Sequence, residues 1–198
     1  KAVMAVITNI DADHMSTYHH DFNQLRQAFL DFLQQLPFYG LAVLCIDDPV
    51  IAELLPQLTK PMMTYGLSVQ ADIRAVDIKQ TQRQTRFTVL RDQTPCLEIQ
   101  LNLPGKHNVR NALAAIAIAQ EVGVSNAAIT HALQTFGGID RRFQMQSIFT
   151  RQGEILLIDD YGHHPREMAA VFQAIREGWP NRRLVVVFQP HRYTRTQD

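Results

Sequence analysis

The sequence lacks most of what would mark a specialised environment. No apolar run among its 198 residues approaches the roughly 18 that a helix needs to cross a bilayer. The opening Lys1-Ala2-Val3-Met4-Ala5-Val6 has no charged region ahead of a signal core and cleavage site. The two cysteines, Cys45 and Cys96, each lie in an apolar stretch without CxxC spacing. They read as small buried hydrophobes in a reducing, cytoplasmic setting. Neither sign of charge is in surplus, since 19 basic side chains face 19 acidic ones. That balance argues against coating nucleic acid or an anionic membrane, both of which take excess Lys and Arg. A small anionic ligand stays open. No internal repeat or low-complexity segment occurs, and no initiator Met, as expected of a piece of a longer chain. With 46% hydrophobic residues, one or two ordinary domains can bury roughly two-thirds of the unfolded surface without disulfide or metal staples.

Periodicity then gives an α/β alternation. Ala2 to Ile7 is a short apolar run closed by Thr8-Asn9, the pattern of a strand buried on both faces of a parallel sheet. Between Tyr18 and Leu36, apolar residues recur mostly at intervals of three and four, which predicts an amphipathic helix stopped by Pro37. Leu41 to Ile46 reads as the next buried strand, and Asp47-Asp48-Pro49 as a helix start. From Ser68 to Leu103 the texture changes to alternating segments around an Asp92-Gln93 turn, predicting antiparallel strands. Helices are expected over 107–121 and 125–135. Phe136 to Phe143, with paired glycines and paired arginines, reads as an interdomain linker. Beyond it the pattern predicts a strand at Ile155–Ile158, a helix at Pro165–Glu177 and a strand at Leu184–Phe188, one βαβ crossover.

Five polar clusters interrupt this frame. Asn9-Ile10-Asp11-Ala12-Asp13-His14 follows the first strand, at the sheet edge where open α/β folds bind ligands. It suits a Mg-nucleotide site, or capping of the next helix by Asp11 or Asp13. His107, Asn108 and Asn111 lie near the start of an alanine-rich helix, where free N–H groups favour an anion or a polar ring. An Asn amide matches the donor and acceptor edge of adenine; a capped, tightly packed helix explains the same residues. Asp140-Arg141-Arg142-Phe143 offers two guanidinium forks to phosphate or carboxylate, or a solvated pair. Asp159-Asp160-Tyr161-Gly162-His163-His164-Pro165 fits ribose, phosphate or substrate contacts. It does not fit zinc, because no further ligand recurs at closed-site spacing. Gln189 to Arg195 carries arginines three apart that can grip a carboxylate, or forms a basic tail.

In this order, TNIDADHMSTY (Thr8–Tyr18), GKHNVRNALAA (Gly105–Ala115), DRRFQ (Asp140–Gln144), DDYGHHP (Asp159–Pro165) and FQPHRYTRT (Phe188–Thr196) resemble the Mur ligase family of ATP-dependent amide-forming enzymes of bacterial cell-wall synthesis. The resemblance implies a central ATP-binding domain over 1–139, a three-layer parallel-sheet fold with an antiparallel meander. It implies the start of a Rossmann-like C-terminal domain over 140–198. By the same resemblance ATP and Mg²⁺ are the cofactors, His14 helps hold the metal, and Asn108 and Asn111 lie beside adenine with His107. Arg142 reaches the ATP phosphates and Asp160 contacts ribose. Tyr161, His163, His191, Arg192 and Arg195 fall where substrates are held, and His14, Arg142, His163, Arg192 and Arg195 are the implied catalytic residues. The last two clusters point to the branch that joins L-alanine to UDP-N-acetylmuramate through an acyl phosphate. The branch that reattaches a recycled tripeptide, and a non-catalytic nucleotide-binding module, are the alternatives. The phosphate loop GxxxxGK[ST] and the acidic metal ligand expected after it are absent from the sequence, so the chain alone is expected to be inactive. No lysine occurs between Lys1 and Lys60, which fits the alanine-adding branch better than sisters carrying a carbamylated lysine there.

Overall fold

The structure is a computed structural model that describes residues 2–13 and 15–189. Its first unit is built on a six-stranded sheet. Strands β1 (Met4–Ile7), β2 (Leu41–Cys45) and β3 (Met62–Gly66) run parallel, and β4 (Ile73–Thr81) continues the parallel set beside β3. β5 (Gln84–Arg91) and β6 (Thr94–Leu101) then fold back as an antiparallel meander. The two textures have different causes. Ala42, Val43, Leu44 and Cys45 are all buried, as a strand covered on both faces requires. In β5 and β6, Phe87, Val89, Leu97 and Ile99 are buried while Arg86 and Glu98 are exposed, as a strand with one wet face requires. The Asp92-Gln93 hairpin forms where predicted, with both residues at positive φ as a tight two-residue turn demands.

Helices α1 (Phe22–Gln34), α2 (Pro49–Leu54), α3 (Lys106–Glu121) and α4 (Asn126–Thr135) share one continuous core with this sheet. α3 buries Val109, Ala112, Leu113, Ile116 and Ala117 and packs on β2, β3 and β4; its alanines let helix and sheet approach closely. α1 starts later than the periodicity predicted. His19 and His20 adopt left-handed φ, and Asp21 caps the helix by accepting from the Asn23 N–H at 2.9 Å. α4 opens on Ser125, whose Oγ accepts from the Ala128 N–H at 3.3 Å. Ser125→Ala is expected to cost about 1 kcal/mol, read as a lower urea midpoint with an unchanged slope.

The second unit begins with an antiparallel hairpin, β7 (Gln144–Thr150) and β8 (Gly153–Asp159), followed by α5 (Pro165–Gly178). β8 and α5 form as expected, whereas β7 lies in a stretch the periodicity left unassigned. The predicted strand at Leu184–Phe188 is a correction. That segment pairs with no strand among the described residues, and Val185, Val186, Val187 and Phe188 are exposed. Its apolar, β-branched composition carries strand propensity, but a strand exists only with a ladder partner. No helix among the described residues is long and apolar enough to cross a membrane.

Candidate functional site

A cleft of about 780 Å³ opens where the carboxyl ends of β1, β2 and β3 meet the start of α3, the linker and α5. Its size suits a small-molecule ligand. Thr8, Asn9, Asp11 and Asp13 follow β1, and Asp47 and Asp48 follow β2. α3 contributes His107, Asn108, Arg110 and Asn111 from its first two turns. Arg142, Asp160, His164, Arg166 and Glu167 face them from the linker and the second unit.

The start of α3 is held without a side-chain cap. Gly105 occupies the cap position at φ 92°, and its N–H donates to Gln80 Oε1 at 2.8 Å. Asn108 Nδ2 donates to the Pro104 carbonyl at 2.7 Å. Burial pushes the His107 imidazole below its ordinary pKa; the Asp160 carboxylate opposes this, and the Arg110 and Arg142 guanidiniums reinforce it. The ring is therefore neutral at pH 7, and protonating it below about pH 6.5 costs the folded state more than the unfolded one.

Asp47 is the most heavily engaged carboxylate of the cleft. Arg110 Nε lies 2.6 Å from its Oδ2, and the Leu67 and Ser68 N–H groups donate to its Oδ1 at 3.0 Å. Burial raises its pKa, but Arg110 and the two amides outweigh burial, and the carboxyl ionises below the usual carboxylate range. A Cβ on Gly66 would sit 2.6 Å from Asp47 Oδ1, so the turn after β3 closes on the carboxylate only because residue 66 is glycine. Across the cleft, Asp160 Oδ2 accepts from the Phe143 N–H at 2.9 Å and Oδ1 from the Gly162 N–H at 2.7 Å. Asp160 thus fastens the linker to the end of β8. Arg142 Nη1 lies 3.5 Å from Glu167 Oε1, while Glu167 Oε2 accepts from the His163 and His164 N–H groups.

Of the residues singled out from sequence, His107, Asn108, Asn111, Arg142 and Asp160 come together on this cleft. Tyr161 and His163 do not line it. The Tyr161 ring stands edge to face with His163 at 5.8 Å and beneath the Arg141 guanidinium at 5.0 Å, and His163 Nδ1 lies 3.2 Å from the Tyr161 carbonyl. His14, His191, Arg192 and Arg195 lie outside the described residues. Asp47, Arg110, Arg166 and Glu167 were not singled out. A signal for the first existed, because Asp47-Asp48 ends β2 as Asp11 and Asp13 follow β1. Among the described residues no group of three or more His, Cys, Asp or Glu converges as a metal site. Three of the cleft carboxylates are paired with arginines, Asp47 with Arg110 and Asp11 and Asp48 with Arg166.

The Mur ligase middle domain profile matches residues 1–119. The chain belongs to the Mur ligase family. A second profile of that family, the Mur ligase glutamate ligase domain, matches residues 141–198. Solved Mur ligases share the mixed α/β fold. The UDP-N-acetylmuramate–alanine ligase of Thermotoga maritima is 30% identical, with a TM-score of 0.79 over 96% of this chain and 42% of its own. MurF of Acinetobacter baumannii is 26% identical, with a TM-score of 0.74 over 88% of this chain and 37% of its own. The UDP-N-acetylmuramate:L-alanyl-γ-D-glutamyl-meso-diaminopimelate ligase of Neisseria meningitides is 26% identical, with a TM-score of 0.58 over 69% of this chain and 40% of its own. The chain thus spans about two-fifths of the length of these Mur ligases.

Proposed function

We propose that this chain supplies the nucleotide-facing wall of a cytoplasmic ATP-dependent ligase that joins L-alanine to UDP-N-acetylmuramate in peptidoglycan precursor synthesis. Residues 1–139 are then part of its ATP-binding domain and 140–198 the start of its amino-acid-binding domain. The observation that carries this reading is the convergence of the α3 start, Arg142 and Asp160 on one cleft between the two units. Asn108 and Asn111 offer amides to the adenine edge, and neutral His107 adds no charge beside the ring. Asp160 accepts from ribose with the lone pairs its two amide donors leave, and Arg142 meets the phosphates. The lactyl carboxylate of the sugar attacks the γ-phosphoryl group, ADP leaves, and the alanine amine displaces phosphate from the acyl phosphate. His163, Tyr161, His191, Arg192 and Arg195 are assigned to the amino acid and the muramoyl end, and a magnesium ion to His14. The similarity to the Thermotoga alanine ligase supports the choice of amino acid.

The test is phosphate release by a polypeptide that joins this chain to a phosphate loop, with UDP-N-acetylmuramate, ATP and Mg²⁺. Turnover that requires L-alanine supports the reading. Turnover only with the L-alanyl-γ-D-glutamyl-diaminopimelate tripeptide moves the protein to the recycling branch, and none with either returns it to a binding module. In an active protein, Asn111→Ala is expected to raise the KM for ATP about 10-fold, the loss of one or two hydrogen bonds, with kcat little changed. The 198-residue chain alone is expected to show no turnover.

A further inference from the structure

Among the described residues, Arg110, Arg142 and Arg166 line the cleft, and their donors are spent unequally. Arg166 commits Nε to Asp11 Oδ2 at 3.1 Å and Nη1 to Asp48 Oδ2 at 3.7 Å. Arg142 commits Nη1 to Glu167 Oε1 at 3.5 Å. Arg110 commits Nε alone, at 2.6 Å from Asp47 Oδ2. Its Nη1 and Nη2 meet no acceptor among the described residues.

Asp47 makes this a fixed fork. The Leu67 and Ser68 N–H groups hold the carboxylate and share its charge before any ligand arrives. Because a guanidinium is planar, a bond at Nε sets the plane of the group and leaves its outer edge, Nη1 and Nη2, open. That edge carries the remaining N–H donors and matches the paired oxygens of a phosphate or a carboxylate. The place of the fork on α3 narrows the choice. Arg110 follows His107 by three positions, so the two are neighbours on the helix surface, and Arg110, Arg142 and Asp160 all act on that imidazole. At about 100° per residue, Asn111 and Asn108 lie around the helix on the other flank of His107. The row across the start of α3 therefore runs Asn108, Asn111, His107, Arg110.

We propose that Arg110 binds the ribose-proximal phosphate of the nucleotide and that Asp47 is the residue that positions it. The proposal rests on the reading of this cleft as a nucleotide site. With adenine at Asn108 and Asn111 and ribose at Asp160, the 5′-phosphate is the next group along the row. The lactyl carboxylate of the sugar substrate shares the oxyanion chemistry, and the experiment separates the two sources.

The test is NMR titration of the 198-residue chain, free of divalent metal, with adenosine, AMP and N-acetylmuramic acid. The signals followed are the α3 amides and the Arg110 Nε–H, which the Asp47 contact shields from exchange. AMP is expected to bind about 10-fold more tightly than adenosine, the worth of a charge-assisted contact on a partly exposed side chain. The Arg110 Nε–H is expected to shift with AMP and not with adenosine. Arg110→Leu is expected to raise the AMP dissociation constant about 10-fold while that of adenosine stays within about 2-fold. A purely structural role for Arg110 weakens both ligands alike, and the wild-type comparison needs no substitution at all. With α3 shifting on adenosine, three results overturn this proposal and leave the nucleotide reading standing. They are equal binding of AMP and adenosine, equal losses in Arg110→Leu, and an Nε–H signal that answers N-acetylmuramic acid but not AMP. Absence of any α3 shift with either adenine compound overturns both.

Discussion

Asp47→Ala is expected to destabilise the chain by about 3 kcal/mol, because it orphans three donors at once. The Leu67 and Ser68 N–H groups and Arg110 Nε all point at one carboxylate whose side chain is only 12% exposed. Arg110→Ala is expected to cost about 1 kcal/mol, since that side chain is 36% exposed and water replaces part of what it loses. The inequality is the informative part: equal losses would mean that the ion pair carries the effect, whereas a larger loss at Asp47 assigns it to the turn after β3. Asp47→Asn separates the two contributions further. An amide oxygen in the place of Oδ1 keeps both N–H donors, but its NH₂ faces the Arg110 guanidinium. Its cost is expected between the other two, measured by urea unfolding.

The same carboxylate sets an acid limit. Its folded-state pKa is held below the unfolded value, so its contribution is complete above about pH 4 and is lost as pH falls through the folded-state pKa. In wild type, stability is expected to drop steeply below about pH 4. In Asp47→Asn that part of the slope disappears, and a pH profile parallel to wild type would show that Asp47 is not the group responsible.

Asp47 also marks where sequence reading ran out. The parallel strands β1 and β2, the meander, α3, α4 and α5 were legible because each depends on a local pattern: an unbroken apolar run, strict alternation, or three-and-four spacing. His107, Asn108, Asn111, Arg142 and Asp160 were legible as a set because they follow strand ends or open a helix, where open sheets gather ligands. Asp47 depends instead on a turn 20 residues later and an arginine 63 residues later, and no local pattern carries that pairing. β7 was missed for a related reason. Only Met145 within Gln144–Thr150 is even partly covered, so burial left no alternation to read, and the strand exists through its ladder to β8. The error at Leu184–Phe188 is the converse, propensity without a partner. Asp160 adds a further lesson, because its neighbourhood pointed to ligand contacts while its Oδ2 also binds the linker backbone at Phe143 and its Oδ1 the Gly162 N–H. One residue there serves both the hinge and the cleft wall.

The second large effect is expected at Gly105, where backbone and packing constraints coincide. At φ 92° and ψ 143° the residue lies in a region that side chains with a Cβ rarely enter, at a cost of order 1–3 kcal/mol. A Cβ there would also stand 2.7 Å from His107 Cε1 and 2.9 Å from Ala174 Cβ. The imidazole can rotate away, but Ala174 is fully buried on α5 and yields only if that helix moves. Gly105→Ala is therefore expected to cost about 3 kcal/mol, more than either constraint requires alone. Since Gln80 joins the Gly105 N–H to the Ala174 carbonyl, moving α5 also strains the contact that joins the two units. Ala174→Gly separates the two costs. Alone it should lose about 1 kcal/mol as a glycine within a helix, yet it removes the atom that an alanine at 105 would strike. The double variant is then expected to be more stable than the sum of its parts by about 1–2 kcal/mol. Strict additivity would leave the whole effect to the backbone of residue 105, and a loss under about 0.5 kcal/mol for Gly105→Ala would mean that α3 starts without the close approach on which its place beside the cleft depends.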